Sequence, residues 1–240
     1  MAPQFKVFDT EPEYRNPSPF LPQHPCRVSV HGPSGSGKTN WLLNALCVPK
    51  DQPFDYVEVF YGMAQPKYEI LQKHLDKCKV PVTFHEGLPS GEEAAEFMAA
   101  LKERAGEGKQ GCIVFDDLMH TVEKSSWASK FFTAGVHHLN LSVYSLMQRV
   151  FASREQRLQS DYIVLYDFPA DRSAVAALAR QIMPMKPGLF MEMYRQATSK
   201  RFGWFMVDLR CRRDGSPQLE FRDNSFTRIF QPEKVRTALG

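Results

Sequence analysis

The chain has 240 residues, of which 43% are hydrophobic and 24% are charged. This length and composition allow a buried core and exclude wholesale disorder, so we expect one folded domain with short additions at its ends. The formal net charge of +3 does not by itself indicate a nucleic-acid-binding protein, although it is compatible with a local basic face.

Cysteine usage and hydropathy exclude further classes of protein. The five cysteines contain no CxxC pair, so we expect reduced thiols, no zinc site and no disulfide framework. The first residues contain no apolar stretch of signal-peptide length, and a run of about 18 apolar residues occurs nowhere. The sequence therefore predicts an intracellular protein without a membrane span.

Short apolar runs alternate with amphipathic segments along most of the chain. Residues 1–25 are rich in proline and polar side chains, which predicts an N-terminal arm before a single domain at 26–240. Strands are expected at 26–32, 55–62, 80–87, 111–117, 139–148 and 161–169, and helices at 37–46, 67–79, 90–105, 125–134, 171–183 and 188–198. The segment 202–222 indicates a hairpin that turns near 214–217. This pattern predicts an α/β fold, in which a mostly parallel sheet has helices on both faces and a C-terminal antiparallel hairpin.

The segment after the first predicted strand, GPSGSGKT, fits G-x-x-x-x-G-K-[ST] at every fixed position. Glycines allow the backbone to turn its N–H groups towards phosphate oxygens, and the following helix presents its positive end to the same phosphates. Lys38 can reach the β- and γ-phosphates of a nucleotide, and Thr39 can ligate magnesium.

A chance glycine-rich turn is the alternative to a phosphate-binding loop. The apolar strand before the segment and the amphipathic helix after it favour the P-loop. The expected nucleotide-binding residues are Gly32, Pro33, Ser34, Gly35, Ser36, Gly37, Lys38, Thr39 and Asn40.

A second motif, CIVFDD, ends an apolar run with two consecutive carboxylates. A strand buried on both faces has this pattern, and ligands of open α/β sheets bind beyond the carboxyl ends of the strands. Asp116 is therefore expected to hold magnesium opposite Thr39, and Asp117 to orient or activate an attacking water. The alternative is that the pair caps the next turn. A second carboxylate here distinguishes water-activating ATPases from small-molecule kinases.

Polar residues follow the predicted strand at 139–148. If this strand lies between those that carry the loop and the acidic pair, the amide of Gln148 would lie near the γ-phosphate, where it could sense the phosphate or position the water. Arg154 or Arg157 could act as an arginine finger, in cis or on a neighbouring subunit's nucleotide. The alternatives are an exposed polar strand end for Gln148, and solvated charges or nucleic-acid phosphate contacts for the two arginines.

Together these motifs resemble a known family. GPSGSGKT, CIVFDDLM, HHLNLSVYSLMQ and ASREQRLQSDYIVLYDFPADRSAVAALARQIMP are similar to segments of the genome-packaging ATPases of large double-stranded DNA viruses, including the poxvirus-type enzymes and those of Polinton- and adintovirus-like elements. These enzymes belong to the FtsK–HerA superfamily of DNA-pumping P-loop ATPases, and the resemblance covers about residues 26–209. It implies a RecA-like (ASCE-type) core, with Lys38 and Thr39 as the Walker A pair, Asp116 as the Walker B magnesium residue and Asp117 as the catalytic acid.

The same resemblance implies further roles and partners. Gln148 matches the polar sensor of the family, and Arg154 matches the arginine that follows it, a candidate finger in trans. ATP and Mg²⁺ would be the cofactors, and the protein would form a homo-oligomeric ring on double-stranded DNA of any sequence. Viral capsid proteins would be partners, at virion assembly sites in the host cell or in the virion. Many superfamily members have Glu where Asp117 stands.

A DNA motor needs basic side chains that follow phosphates without reading bases. Candidate residues near the predicted hairpin and near Gln148 are Lys200, Arg201, Arg210, Arg212, Arg213, Arg149, Arg154 and Arg157. A solvated hairpin face is the alternative for the first five.

The sequence thus predicts a motor that hydrolyses ATP to translocate double-stranded viral DNA into a preformed capsid. One alternative is a P-loop phosphotransferase, such as a nucleoside or nucleotide kinase, which would have one acceptor pocket and no stimulation by DNA. Another is a nucleotide-binding scaffold without turnover, which the intact Lys38, Thr39 and Asp116 disfavour.

Overall fold

The structure, a computed structural model, describes residues 22, 24–46, 54–132, 135–151, 159–210 and 220–224. Eight strands in this part of the chain form one sheet: β1 (Arg27–His31), β2 (Tyr56–Tyr61), β3 (Val82–Glu86), β4 (Gly111–Asp116), β5 (Leu141–Met147), β6 (Tyr162–Tyr166), β7 (Trp204–Asp208) and β8 (Glu220–Asp223). Their order is β3-β2-β4-β5-β1-β6-β7-β8. The first six strands in this order pair in parallel, whereas β7 and β8 add antiparallel at the edge. The predicted sheet and its antiparallel extension are confirmed, while the turn predicted at 214–217 lies outside the described residues.

Helices cover both faces of this sheet. They include α1 (Lys38–Leu46), α2 (Lys67–Lys77), α3 (Gly91–Gly106), α4 (Met119–Lys124), α5 (Gly135–His138), α6 (Arg172–Ile182) and α7 (Pro187–Ala197), with a 3₁₀ helix at Ala128–Phe132. Both faces are covered because parallel strands need crossover connections, which in this chain are mostly helical.

The helix predicted at 125–134 differs from the structure. A short helix, α4, comes before it, and the 3₁₀ turn takes its place. The hydroxyl of Ser125 accepts a hydrogen bond from the Ala128 N–H (3.2 Å), which starts that turn. The indole N–H of Trp127 donates to the carbonyl of Pro89 (3.1 Å), and its ring packs on Phe131. Tertiary packing of these aromatic side chains therefore overrides the local helical pattern.

Alternate residues of β4 enter different hydrophobic clusters. Cys112 and Val114 pack with α1 and α2, whereas Ile113 and Phe115 pack with α3 and the 3₁₀ helix. A third cluster joins α6 and α7 to β6, β7 and β8. Burial of β4 on both faces agrees with its continuous apolar run. It fixes the carboxyl end of the strand, and with it Asp116, in the middle of the sheet.

Candidate active site

The loop from Gly32 to Gly37 joins β1 to α1 at the carboxyl edge of the sheet, and Lys38 and Thr39 are the first residues of α1. Gly35 and Gly37 have φ angles of 75° and 111°, which residues with a side chain rarely adopt. At Gly32 the constraint is space, because a Cβ there would overlap the Ser36 hydroxyl. Each glycine of the loop therefore has a structural reason, which argues against a chance glycine-rich turn.

The side chain of Lys38 folds back into this loop. Its ammonium group donates hydrogen bonds to the carbonyl oxygens of Gly32 (2.7 Å) and Pro33 (3.0 Å). Burial lowers the pKa of Lys38, while the negative charges of Asp116 and Asp117 raise it. The lysine thus lies within electrostatic reach of the acidic pair.

Strand β5 lies between the strands that carry the loop and the acidic pair. The carbonyl of Met147 accepts a hydrogen bond from the Gly32 N–H (3.0 Å), and the carbonyl of Leu146 accepts one from the Asp117 N–H (3.2 Å). The predicted position of Gln148 near the γ-phosphate requires β5 to lie between β1 and β4, and the structure has this strand order.

The side chains of Gln148 and Asp117 meet at the exposed end of these strands. The Gln148 amide donates a hydrogen bond of 2.6 Å from Nε2 to Oδ2 of Asp117, and both residues are exposed. Asp117 has a φ of 59°, in the left-handed region where Asp and Asn are enriched. This carboxylate is open to water, and the neighbouring Gln148 amide orients it.

The carboxylate of Asp116 is buried and held by two donors. The hydroxyl of Tyr68 donates to its Oδ2 (2.7 Å), and Nε2 of Gln65 donates to the same oxygen (3.1 Å). The other end of the Gln65 amide, Oε1, accepts a hydrogen bond from the Thr39 hydroxyl (3.0 Å). One glutamine side chain therefore links the two residues that the sequence predicts as magnesium ligands.

Three further residues at this edge, Gln65, Tyr68 and Tyr166, lie outside the motifs and were not predicted from the sequence. Gln65 lies in the turn after β2 and Tyr68 in the first turn of α2, outside any motif. The only available signal is topological: β2 pairs with β4, so the turn after β2 reaches the same edge as Asp116. The Tyr166 hydroxyl, at the end of β6, donates to the carbonyl of Gly37 (3.0 Å) and so supports the loop from the other side.

The burial of Asp116 has a consequence for stability. Burial raises its pKa, although the hydrogen bond from Tyr68 and the charge of Lys38 lower it. At a pH above the folded-state pKa, the ionised Asp116 therefore lowers the free energy of unfolding. This effect disappears below its unfolded-state pKa of about 4, because the carboxyl group is then protonated in both states.

Replacing Asp116 with asparagine is therefore expected to raise the melting temperature of the nucleotide-free protein at pH 7. The rise should be about 2–4 °C for each kcal/mol gained in the free energy of unfolding. The gain should shrink as the pH falls towards 4. Thermal unfolding at both pH values tests this, with Asp76→Asn, an exposed carboxylate on α2, as the matched control. A lower melting temperature of the Asp116 variant at pH 7 would contradict the interpretation.

Some of the predicted residues fall outside the described part of the chain: Arg154, Arg157, Arg212 and Arg213. Asn40 is exposed in the first turn of α1, beside the loop. Arg149 is exposed immediately after Gln148, at the same edge as the acidic pair. Lys200 and Arg201 are exposed in the turn between α7 and β7, which leads back towards the loop.

The described residues contain no group of three or more His, Cys, Asp or Glu side chains that could hold a metal ion by itself. Within the same residues, no helix has both the length and the apolar character needed to cross a membrane.

The combination of loop, lysine, acidic pair and intervening polar strand end, on a sheet of this order, defines a P-loop nucleoside triphosphatase with a RecA-like core. The sequence family described as poxvirus A32 protein matches residues 15–156, more than half of the chain. The chain therefore belongs to the poxvirus A32 protein family, as the resemblance predicted. Among curated proteins, no relative matches it.

Solved structures of the genome-packaging NTPase B204 from Sulfolobus turreted icosahedral virus 2 have a similar fold. The complex with AMP has a TM-score of 0.59 and 14% identity, over 83% of this chain and 98% of B204. The complex with ATP-gammaS has a TM-score of 0.57 and 13% identity, over 82% and 97%. B204, the DNA-packaging ATPase from Sulfolobus turreted icosahedral virus, has a TM-score of 0.54 and 13% identity, over 83% and 97%. This similarity confirms the predicted fold class.

Proposed function

We propose that this protein is a motor that hydrolyses ATP to translocate double-stranded viral DNA into a preformed capsid. The observation that carries the proposal is the convergence of Lys38, the Gln65-linked pair of Thr39 and Asp116, and Asp117 on one edge of the sheet. Membership of the poxvirus A32 protein family supports the viral setting. The shared fold with B204, a packaging ATPase, supports the coupling to DNA.

A nucleoside triphosphate would bind with its phosphates in the loop. The Lys38 ammonium would exchange the carbonyls of Gly32 and Pro33 for β- and γ-phosphate oxygens. Hydrogen bonds between charged partners are stronger than those to a neutral carbonyl, so this exchange favours the bound state. The backbone N–H groups of the loop and the positive end of α1 would add to it.

The oxygens of Thr39 and Asp116 fit a magnesium ion. Both bond to the single amide of Gln65, so they converge on a common space. Mg²⁺ prefers oxygen ligands and, in nucleotide sites, takes only one or two protein groups beside phosphates and water. A larger cluster of protein ligands is therefore not needed. The ion would neutralise charge that develops on the phosphoryl group.

Replacing Gln65 with alanine is expected to tighten the binding of magnesium and nucleotide by about two- to tenfold. The variant lacks the Gln65 hydrogen bond to Asp116, which has a net value of about 0.5–1.5 kcal/mol and has to be broken before the ion can bind. Calorimetric titration with a non-hydrolysable ATP analogue, with magnesium and with excess chelator, measures the effect.

The gain should disappear with chelator, and Gln72→Ala on α2, whose amide bonds to Asp76, should bind as wild type does. Weaker binding by the Gln65 variant in the presence of magnesium would contradict this role and would make Gln65 part of the loaded site.

The two aspartates would divide the chemistry according to their burial. Asp116 is buried under Tyr68 and suits a stable metal contact. Asp117 is exposed, so bulk water can reach it, and Gln148 holds one of its oxygens. It would orient the attacking water and accept its proton. Such exposure favours hydrolysis over transfer to a small-molecule acceptor, because a phosphotransferase has to exclude water.

The arginine finger would come from a neighbouring subunit of a ring, with Arg154 or Arg157 contributing positive charge to the transition state. Arg154→Ala and Asp117→Asn chains should each be inactive alone. An equimolar mixture should recover about a quarter of the wild-type rate, because one in four random subunit contacts then combines an intact carboxylate with an intact arginine. No recovery, with either Arg154→Ala or Arg157→Ala as the first partner, would count against a finger in trans.

DNA would pass through the ring. The basic side chains near Gln148 and near the antiparallel strands would contact the DNA phosphates. Such contacts are independent of sequence and weaken with salt. Capsid proteins would hold the ring at the portal of entry, so the protein would act inside the infected cell where virions assemble.

ATP hydrolysis by the purified protein, with and without double-stranded DNA, tests the proposal, and Lys38→Ala serves as the blank. Stimulation by DNA of any sequence, weakening as salt rises, is expected. Steady turnover that DNA and added capsid protein leave unchanged would contradict the motor. Phosphate transfer to a nucleoside or nucleotide would establish the phosphotransferase instead.

A further inference from the structure

Phe202 is an exposed aromatic residue beside the phosphate-binding loop. The residue is 49% exposed, and its φ of 61° lies in the left-handed region that bulky residues rarely adopt. A Cβ placed at Gly37 would lie 3.4 Å from Cδ1 of Phe202, so the ring packs against the loop. Neither the exposure nor the backbone conformation favours folding, and strained residues of this kind cluster at ligand sites.

Several contacts fix the turn between α7 and β7 that carries Phe202. The carbonyl of Phe202 accepts a hydrogen bond from Nδ2 of Asn224 (3.2 Å), and Oδ1 of Asn224 accepts one from the Trp204 N–H (2.7 Å). Gly203 is buried so closely that a Cβ would lie 2.6 Å from the carbonyl oxygen of Ala197. Contacts from α7 and from the residue after β8 therefore hold the backbone of this turn in place.

The ring lies on the side of the loop away from the acidic pair. Strands β6 and β7 are on one side of β1, and β5 and β4 are on the other. Tyr166, at the end of β6, borders the same side of Gly37 as Phe202 does. A triphosphate whose γ end points towards Asp116 and Asp117 extends its nucleoside in the opposite direction, and there Phe202 presents its exposed ring.

Arg201 adds a cationic group to this surface, because its guanidinium carbon lies 4.8 Å from the centroid of the Phe202 ring. Aromatic rings and guanidinium groups both stack on nucleobases. We propose that Arg201 and Phe202 form the nucleobase subsite of the ATPase, on which the purine of ATP stacks. This inference rests on the proposed function, and it assigns Arg201 to the nucleotide rather than to DNA. Because every base has a π-face, the subsite accepts ATP and GTP with similar affinity.

Paired titrations separate binding of the base from binding of the phosphates. One ligand is a non-hydrolysable ATP analogue, and the other is inorganic tripolyphosphate, each with magnesium. Phe202→Asn is expected to weaken binding of the analogue on the order of tenfold and to leave the affinity for tripolyphosphate unchanged. Phe202→Tyr keeps an aromatic face and is expected to bind both ligands as wild type does.

Stability and a second surface variant serve as controls. Asparagine adopts the left-handed conformation more readily than phenylalanine, so Phe202→Asn should melt at the wild-type temperature or above it. Met185→Ala removes an apolar side chain that is 91% exposed elsewhere, and it should bind both ligands normally.

Each other outcome overturns the inference. If Phe202→Asn binds the analogue as wild type does, the ring is not a base platform. If the variant loses binding of both the analogue and tripolyphosphate, the role of Phe202 is structural. If wild-type protein binds neither ligand, the proposed nucleotide site fails, and the subsite fails with it.

Discussion

Replacing Asp117 with asparagine is expected to lower ATP hydrolysis by about 100-fold or more and to leave ATP binding nearly unchanged. The carboxylate would accept a proton from the attacking water, and general-base catalysis typically contributes about 10²–10⁴-fold. An amide of the same shape cannot accept that proton. Its oxygen can still accept the hydrogen bond from Gln148, and asparagine tolerates the left-handed φ of 59° at this position.

Single-turnover hydrolysis and nucleotide titration of the same preparation measure the two quantities separately. Asp76→Asn, on the exposed face of α2, is the matched control and should behave as wild type in both. Turnover within a few-fold of wild type would remove the assigned role of Asp117. Loss of nucleotide binding together with turnover would show that the carboxylate supports the site structurally.

Replacing Lys38 with alanine is expected to abolish measurable turnover and to weaken nucleotide binding about tenfold or more. The ammonium group is the positive charge that would reach the phosphates, and removing a donor to charge that develops in a transition state typically costs about 10²–10³-fold in rate. The melting temperature should change little, because water can replace the ammonium at the carbonyls of Gly32 and Pro33.

Lys73→Ala removes an exposed lysine from α2 and is the matched control for charge and length. It should retain wild-type turnover and binding. If Lys38→Ala bound and hydrolysed ATP normally, the loop would not be the phosphate site. The two variants thus differ in kind: the lysine variant should lose binding and chemistry, and the aspartate variant chemistry alone.

The part of the site that lies in motifs can be predicted from sequence because local spacing determines it. Lys38 and Thr39 follow directly from the strand, loop and helix around them. Asp116 follows from a continuous apolar run, since a strand buried on both faces has that pattern. The position of Gln148 needed one additional fact, the order of the strands. The structure supplies it by placing β5 between β4 and β1.

The remaining residues could not be predicted, because they reach the site through long-range packing. Gln65 and Tyr68 come from a turn and a helix with no phosphate-binding pattern, and only the pairing of β2 with β4 brings them to Asp116. Phe202 and Arg201 come from a turn far along the chain. From sequence alone, Arg201 belongs to a basic cluster and is grouped with candidate DNA contacts, since composition carries no information about which side of the sheet a turn faces.

The ammonium group of Lys38 is bonded to two carbonyl oxygens of its own loop. A nucleotide does not meet a bare cation but competes with two carbonyl oxygens for it, so the net affinity is the difference between two sets of bonds. After hydrolysis, return of the ammonium to the same carbonyls would offset part of the free energy needed to release the product, a step that limits turnover in many enzymes. For the proposed motor, this offset would shorten the time for which each spent nucleotide stays bound.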